Sequence, residues 1–458
     1  MKRRERALVL LSLSPLIYLL IFVILFRFVF TSDPLYGSHQ LSLFLAGFVA
    51  LLQRFRKHHI QSLLRQSLWR NFLSVLPAML ILLFVGMLIG SWANAGILSS
   101  MIFVGTKILF APTFLPGVTI LCGITAVISG SSWTTAGTLG VALMGVGNIL
   151  GFSPEICAGA IVSGCYFGDK LSPLSDTTNL ASSLTGVPLG THIRYMMKTT
   201  IPSFLLCLIA YALWNFYNPP LLVVQNDILN QFFSSEYLSF QPYHMVPVIL
   251  VFGSAMFGLK AVYSLSLGIL SSMLFTYLGG APLTDMGKSL LFGFYPETGN
   301  PNVDALLGGG GIIAILPTEI LILTAVWFGG ILEGMGYLSE ILTLMKKWIY
   351  VKWDVLLASM GSSFILNLTT ADQYLSLVVP ARAFRHLAEE YHIDGKEVSR
   401  SLEDSGTITS PLIPWNSCGA FMATSLKIST FAYLPYAWFN LFHIALATSL
   451  LLFRKYKK

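Results

Sequence analysis

The stretch GDKLSPLSDTTNLASS, Gly168–Ser183, places Asp169, Lys170 and Asp176 within eight residues, among Ser, Thr, Asn and Pro. Its flanks are of another kind. GVTILCGITAVISG (Gly117–Gly130) precedes it and IPSFLLCLIAYALW (Ile201–Trp214) follows it. A surface loop would explain the polar residues; so would a path for a charged species through an apolar interior. Composition narrows the choice. Of 458 residues, 55% are hydrophobic and 11% charged, with a mean hydropathy of +0.72. A soluble domain carries about 25% charged residues, so this chain reads as a polytopic membrane protein.

The formal charge of +7 does not point to nucleic acid, because the excess lies at the ends and in a few loops. Basic clusters occur in MKRRER (Met1–Arg6), RFRKHH (Arg54–His59) and RKYKK (Arg454–Lys458). Lys and Arg collect on the cytoplasmic side of membrane proteins. Both termini and the loops Arg54–Arg70 and Arg382–Arg400 are therefore expected in the cytoplasm, and the Lys- and Arg-free stretch Asn218–Tyr243 outside. The expected location is the cell inner (cytoplasmic) membrane. The first apolar run, Ala7–Phe30, is long enough to span and lacks a small-x-small cleavage site after it, so it reads as an uncleaved helix. Five cysteines without metal or disulfide spacing read as buried free thiols.

Apolar runs of spanning length recur along the whole chain, which predicts an all-α fold of about 10–12 transmembrane helices. No segment resembles a soluble domain, so residues 1–458 form a single integral membrane transporter domain in this reading. The glycines Gly308–Gly311 lack the Lys-Ser/Thr of a phosphate loop and read as helix-packing residues.

Self-similarity carries more. Thr134-Thr135-Ala136 is followed 38 residues later by Ser172-Pro173-Leu174, then Asn179. In the second half, Thr369-Thr370-Ala371 is followed 41 residues later by Ser410-Pro411-Leu412, then Asn416. The pair predicts two structural repeats, with cores at 117–216 and 355–453, as in many secondary transporters. Pro173, Pro411 and Pro414 remove N–H donors and break helices. Within a bilayer such irregular backbone survives only inside protein or along a cavity. It offers carbonyl and hydroxyl oxygens suited to a hard cation.

Acids accompany both copies: Asp169, Asp176, Asp372, Glu403 and Asp404. An ionisable side chain at membrane depth costs about 3 kcal/mol or more, which makes each a functional candidate. Asp169 beside Lys170 reads as a possible local pair, and Glu403-Asp404 as a possible helix-end cluster. Glu155, Glu319 and Glu333 read as structural.

Four blocks, GSSWTTAGTLGVALMG (Gly130–Gly145), SGCYFGDKLSPLSDTTNLASS (Ser163–Ser183), TTADQYLSLVVPARAF (Thr369–Phe384) and LEDSGTITSPLIPWNSCGAFMA (Leu402–Ala423), together resemble the NhaC-type sodium/proton antiporters. One departure is Thr134, where the family usually has Gly after the motif Trp. The resemblance implies inverted repeats with re-entrant hairpins and broken helices, a homodimer, and elevator-type alternating access. It implies Na⁺ and protons as the transported species, with no cofactor.

Burial favours the protonated form of a carboxylate and a bound cation favours the ionised form, so one buried acid can make H⁺ and Na⁺ compete. Asp176 is the expected competing carboxylate, with Thr177, Thr178 and Asn179 as neutral oxygen neighbours. Ser131, Thr134, Thr135, Asp169 and Ser172 join from the first repeat. Thr369, Thr370, Asp372, Asp404, Ser410 and Asn416 join from the second. Asp176, Asn179 and Asp372 are the expected ligands of transported Na⁺. The alternative is a Na⁺-coupled organic acid exchanger, such as a malate/lactate antiporter, with Lys170 or Lys427 as its anion partner. An enzyme is disfavoured: neither H-E-x-x-H nor G-x-S-x-G occurs.

Overall fold

The computed structural model describes residues 3–29, 37–54, 60–220, 240–280, 282–297, 304 and 307–456. Among these residues the chain is helical, with one isolated bridge between Phe294 and Gly309. Among the described residues, five helices are long and apolar enough to cross a membrane, or six if the pair Thr430–Tyr436 and Trp438–Lys455, bent by 62°, counts as one. The other apolar runs fold as shorter or interrupted helices, so the expected ten to twelve segments are not all unbroken spans. Large apolar side chains such as Leu205, Ile209 and Leu270 face outward, as a lipid-facing surface requires. Residues 221–239 of the expected outside loop and 55–59 of the first basic loop lie outside the described residues, and residues 60–70 of that expected loop instead form the start of the helix Ile60–Asn94.

The first part of the chain comprises α1 (Arg3–Val29), α2 (Ser38–Arg54), α3 (Ile60–Asn94) and α4 (Ile97–Ile108). Then comes a broken series: α5 (Phe114–Ser129), α6 (Ser132–Thr135), a π-turn at Ala136–Gly140, α7 (Val141–Ile149), α8 (Pro154–Leu171), α9 (Asp176–Thr185) and the long α10 (Leu189–Tyr217). A middle group follows: α11 (Met245–Met256), α12 (Ala261–Leu278), α13 (Leu283–Phe292), α14 (Ile312–Gly334) and α15 (Tyr337–Lys346). The last series is α16 (Lys352–Thr370), α17 (Gln373–Glu390), α18 (Gly395–Thr409), α19 (Ser417–Leu426) and, after a short turn, α20 (Trp438–Tyr456).

The two series share one plan. Each runs helix, break, helix; then helix, break at Ser-Pro-Leu, helix; then a long helix. The first break falls at a left-handed residue in both, Gly130 (φ 69°) and Ala371 (φ 56°). Each is followed by an N-cap. Ser131 Oγ accepts from Thr134 N at 3.1 Å, and Asp372 Oδ1 accepts from Leu375 N at 2.7 Å. Such caps satisfy the donors that a helix start leaves open. The second break differs between the two. In the first series Ser172, before Pro173, is extended (φ −78°, ψ 131°), as Pro favours in the residue before it, whereas in the second Ser410, before Pro411, stays helical (φ −55°, ψ −44°).

Close packing fixes these pieces in place. The α8 glycines Gly164 and Gly168, one turn apart, lie against α5: a Cβ on Gly164 would sit 2.3 Å from Thr119 O, and one on Gly168 2.1 Å from Gly123 O. Small residues at four-residue spacing let two membrane helices approach backbone to backbone. In the second series the first break leans on the second, with Ser417 N donating to Ala371 O at 2.9 Å. Gly308–Gly311 serve packing here: Gly311 N donates to Gly86 O at 2.7 Å, and Lys427 Nζ donates to Gly308 O. All five cysteines are buried free thiols, as their spacing predicted.

Candidate functional site

The breaks of both series meet around one cavity of about 440 Å³. Ser131, Ser132 and Trp133 line it from the first tip, and Asp169, Ser175, Asp176 and Thr177 from the α8–α9 break. The second series supplies Asp372, Gln373, Tyr374, Ser417 and Cys418. Pro77 and Ile81 of α3 and Lys260, at the start of α12, close the remaining side.

Three carboxylates thus share the cavity, in unequal settings. Asp372 is 1% exposed and Asp169 7% exposed, whereas Asp176 is exposed at the mouth. The expected burial of Asp176 is therefore not met: as the first residue of α9 it points from a helix start toward open space, and Asp169 holds the buried position. Ser132 Oγ donates to Asp169 Oδ2 at 2.7 Å, so a hydroxyl already supports its charge. Asp372 spends one oxygen on its helix cap.

Of the other expected residues, Ser131, Thr134 and Thr177 line the cavity. Most of the rest hold backbone. Ser172 Oγ donates to Val127 O at 2.7 Å, and Thr178 Oγ1 to Lys170 O at 3.2 Å. Thr135 Oγ1 meets Ser129 Oγ at 3.3 Å. Asn179 does not line the cavity; its Nδ2 donates to Pro173 O and Ser175 O, fastening the break. Thr369 and Thr370 donate to carbonyls one turn back in α16, and Ser410 to Thr407 O. Asn416 caps α19, its Oδ1 accepting from Cys418 N at 3.0 Å, while its Nδ2 donates to Asn367. The repeated Asn thus marks the repeated break in both copies.

Asp404 lies away from the cavity in a buried ionic cluster. Its Oδ1 meets Lys170 Nζ at 3.0 Å and His443 Nε2 at 2.8 Å, and its Oδ2 lies 3.4 Å from Arg400 Nε. Lys170, Asp404 and His443 are at most 1% exposed. The suggested Asp169–Lys170 pair is corrected by this geometry: successive residues of a helix point about 100° apart, so Lys170 turns to the second series while Asp169 turns to the cavity. Lys170 and Lys427, the two cations considered for an anion, are both engaged elsewhere. Sequence reasoning missed Ser132, Gln373, Lys260 and His443. The first two adjoin expected residues, Ser131 and Asp372, and only the folded chain shows that they face the site.

Two sets of broken helices around a cavity lined by three carboxylates, inside an apolar helical shell, define a multi-pass membrane transporter. The chain belongs to the Na⁺/H⁺ antiporter family, which matches residues 164–455. It is 33% identical over 361 residues to the Na⁺/H⁺ antiporter NhaC of Alkalihalophilus pseudofirmus, covering 78% of each chain. It is 36% identical over 371 residues to the arginine/ornithine antiporter ArcD of Halobacterium salinarum, covering 79% of this chain and 75% of that one. The malate-2H⁺/Na⁺-lactate antiporter of Bacillus subtilis is 32% identical over 412 residues, with 89% and 88% covered.

Proposed function

We propose that this protein exchanges Na⁺ for H⁺ across the cytoplasmic membrane, with the cavity as the site of exchange and both termini cytoplasmic. One observation carries the reading: Asp169, Asp176 and Asp372, from both broken series, line a single cavity whose other walls are largely hydroxyl-bearing and apolar. A carboxylate there binds either a proton or a cation, and the two occupancies exclude each other. Asp169 is the proposed coupling acid, with Asp372 and Asp176 adding negative charge and Ser131, Ser132, Thr134, Ser175 and Thr177 adding neutral oxygens. The family resemblance supports inverted repeats, elevator-type movement and a homodimeric scaffold. The acting species are Na⁺, H⁺ and this chain's own side chains, with no cofactor in the scheme.

The test is purified protein in liposomes holding a pH-sensitive dye. Imposed Na⁺ should move protons outward against it without any organic substrate. Dye silence with Na⁺, and a signal only when malate or lactate is added, would replace this reading by organic acid exchange, which the Bacillus subtilis relative's name makes the second candidate.

A further inference from the structure

The stretch KKWIYVKW, Lys346–Trp353, joins α15 to α16 and takes no part in the cavity. Its height relative to the membrane is set by α20. That helix is apolar through IALATSLLLF, Ile444–Phe453, with Leu452 and Phe453 exposed, and turns basic at Arg454. Charge beginning at the end of an apolar span marks the edge of the bilayer. Lys455 Nζ lies 2.6 Å from Asp354 Oδ1, which brings the start of α16 and the stretch before it to the same edge.

At that edge the stretch presents aromatic and cationic groups together. Trp348 is 69% exposed and Tyr350 76% exposed, and Lys346, Lys347 and Lys352 are exposed as well. The backbone beneath them is fixed: Tyr350 N and Val351 N both donate to Asp354 Oδ2, at 3.0 and 3.2 Å. Asp354 is thus spent on Lys455 and two amides, and it is buried. Trp353 gathers cations from two helices, with Lys352 Nζ 4.4 Å and Arg454 Cζ 5.5 Å from its ring centroid. Arg454 also lies 3.9 Å from Glu397, and Lys346 Nζ lies 6.0 Å from the Phe384 ring of α17. Lys346, Lys347, Lys352, Arg454 and Lys455 outnumber the acids Asp354 and Glu397, so the patch is net positive.

The composition of the patch selects its occupant. Trp and Tyr settle at headgroup level, and clustered Lys and Arg beside a membrane span attract anionic lipids. A soluble anion would need the cations alone and would leave the exposed rings without a role. We infer that this patch binds the headgroup of an anionic phospholipid. The lipid phosphate meets Lys346, Lys352 and Arg454, and Trp348 and Tyr350 lie at the level of its glycerol backbone. The site is separate from the cavity, and it stands or falls independently of the ion-exchange reading.

Thermal melting of the detergent-purified full chain tests it, with added phosphatidylglycerol, phosphatidylcholine of the same acyl chains, or water-soluble glycerol phosphate. A ligand that binds the folded protein raises its melting temperature. Phosphatidylglycerol should do so saturably, and the other two should not. Added salt should weaken the effect, since it screens exposed charges. Lys346→Gln/Lys352→Gln should need about tenfold more phosphatidylglycerol for the half-maximal shift, because each cation near an anionic surface contributes. Arg65→Gln/Lys288→Gln removes the same charge from other exposed positions and should behave as the unmodified protein. Should the first double variant not fold, Lys352→Gln alone carries the comparison. No shift with phosphatidylglycerol, or equal shifts with both lipids, would overturn the inference. A shift reproduced by glycerol phosphate would replace the lipid by a soluble phosphate and overturn it too. So would an unchanged half-maximal concentration in the patch variant, or an equal loss in the control variant.

Discussion

Ser132 Oγ donates to Asp169 Oδ2 at 2.7 Å, joining the start of α6 to the last turn of α8 beside the cavity. The bond fixes the orientation of the buried side chain and links the first tip to the acid it serves. A hydrogen bond to a charged group contributes about 1.5–3 kcal/mol. Ser132→Ala should therefore raise the Na⁺ concentration for half-maximal exchange about tenfold while leaving the protein folded. Titration of Na⁺-driven proton movement in proteoliposomes checks this, and an unchanged half-saturation would contradict it.

The buried ion pair between Lys170 and Asp404 fastens one broken series to the other. Removing one member of such a pair leaves an unpaired buried charge and costs about 3–5 kcal/mol. Lys170→Met and Asp404→Leu should each lower the melting temperature of the detergent-purified protein sharply. The double variant should lose much less than the sum, since the two changes are coupled. Additive losses would mean that the pair is not a unit. Arg400 and His443 also face Asp404, so a residual cost in the double variant is expected.

Ala371 occupies the left-handed region at φ 56° between α16 and α17. A residue with a Cβ costs about 1–2 kcal/mol there, and a β-branched one more. Ala371→Gly should be tolerated or slightly stabilising, whereas Ala371→Val should depress both thermal stability and exchange. Equal behaviour of the two would show that the tip is not held in this conformation.

If H⁺ and Na⁺ compete for one carboxylate, acid works against Na⁺. Half-saturation by Na⁺ should rise as pH falls, by about tenfold per pH unit at pH values where the acid is mostly protonated. Maximal exchange at saturating Na⁺ should change far less. A half-saturation independent of pH, with only the maximal rate varying, would favour separate sites for the two ions.

Much of this architecture was legible in the chain. The matched Thr-Thr-Ala and Ser-Pro-Leu triplets lie at or within a few residues of both sets of breaks, although proline alone does not break a helix here: Pro77, Pro202 and Pro317 lie inside α3, α10 and α14. The same residues misled about roles. Asn179 and Asn416 repeat because each fastens a break, through Pro173 O and Ser175 O in one case and Asn367 and Cys418 N in the other. Spacing alone also made Lys170 a neighbour of Asp169, although helix geometry turns it toward Asp404, which is 234 positions away. Asp176 looked enclosed by its polar neighbours, but the α9 start leaves it at the cavity mouth. Depth within the site depends on how the two series pack, and that is a long-range property.

The central claim is that Asp169 in this cavity couples Na⁺ to H⁺. Asp169→Asn keeps the shape of the side chain and can still pair with Ser132, but it removes the ionisable group. Na⁺-driven proton movement by this variant in proteoliposomes, followed across a pH series, is the most direct measurement. A fall of at least tenfold at every pH, in protein with a normal melting transition, is predicted. Near-normal exchange with the unmodified protein's pH dependence would contradict the claim and move the coupling acid elsewhere.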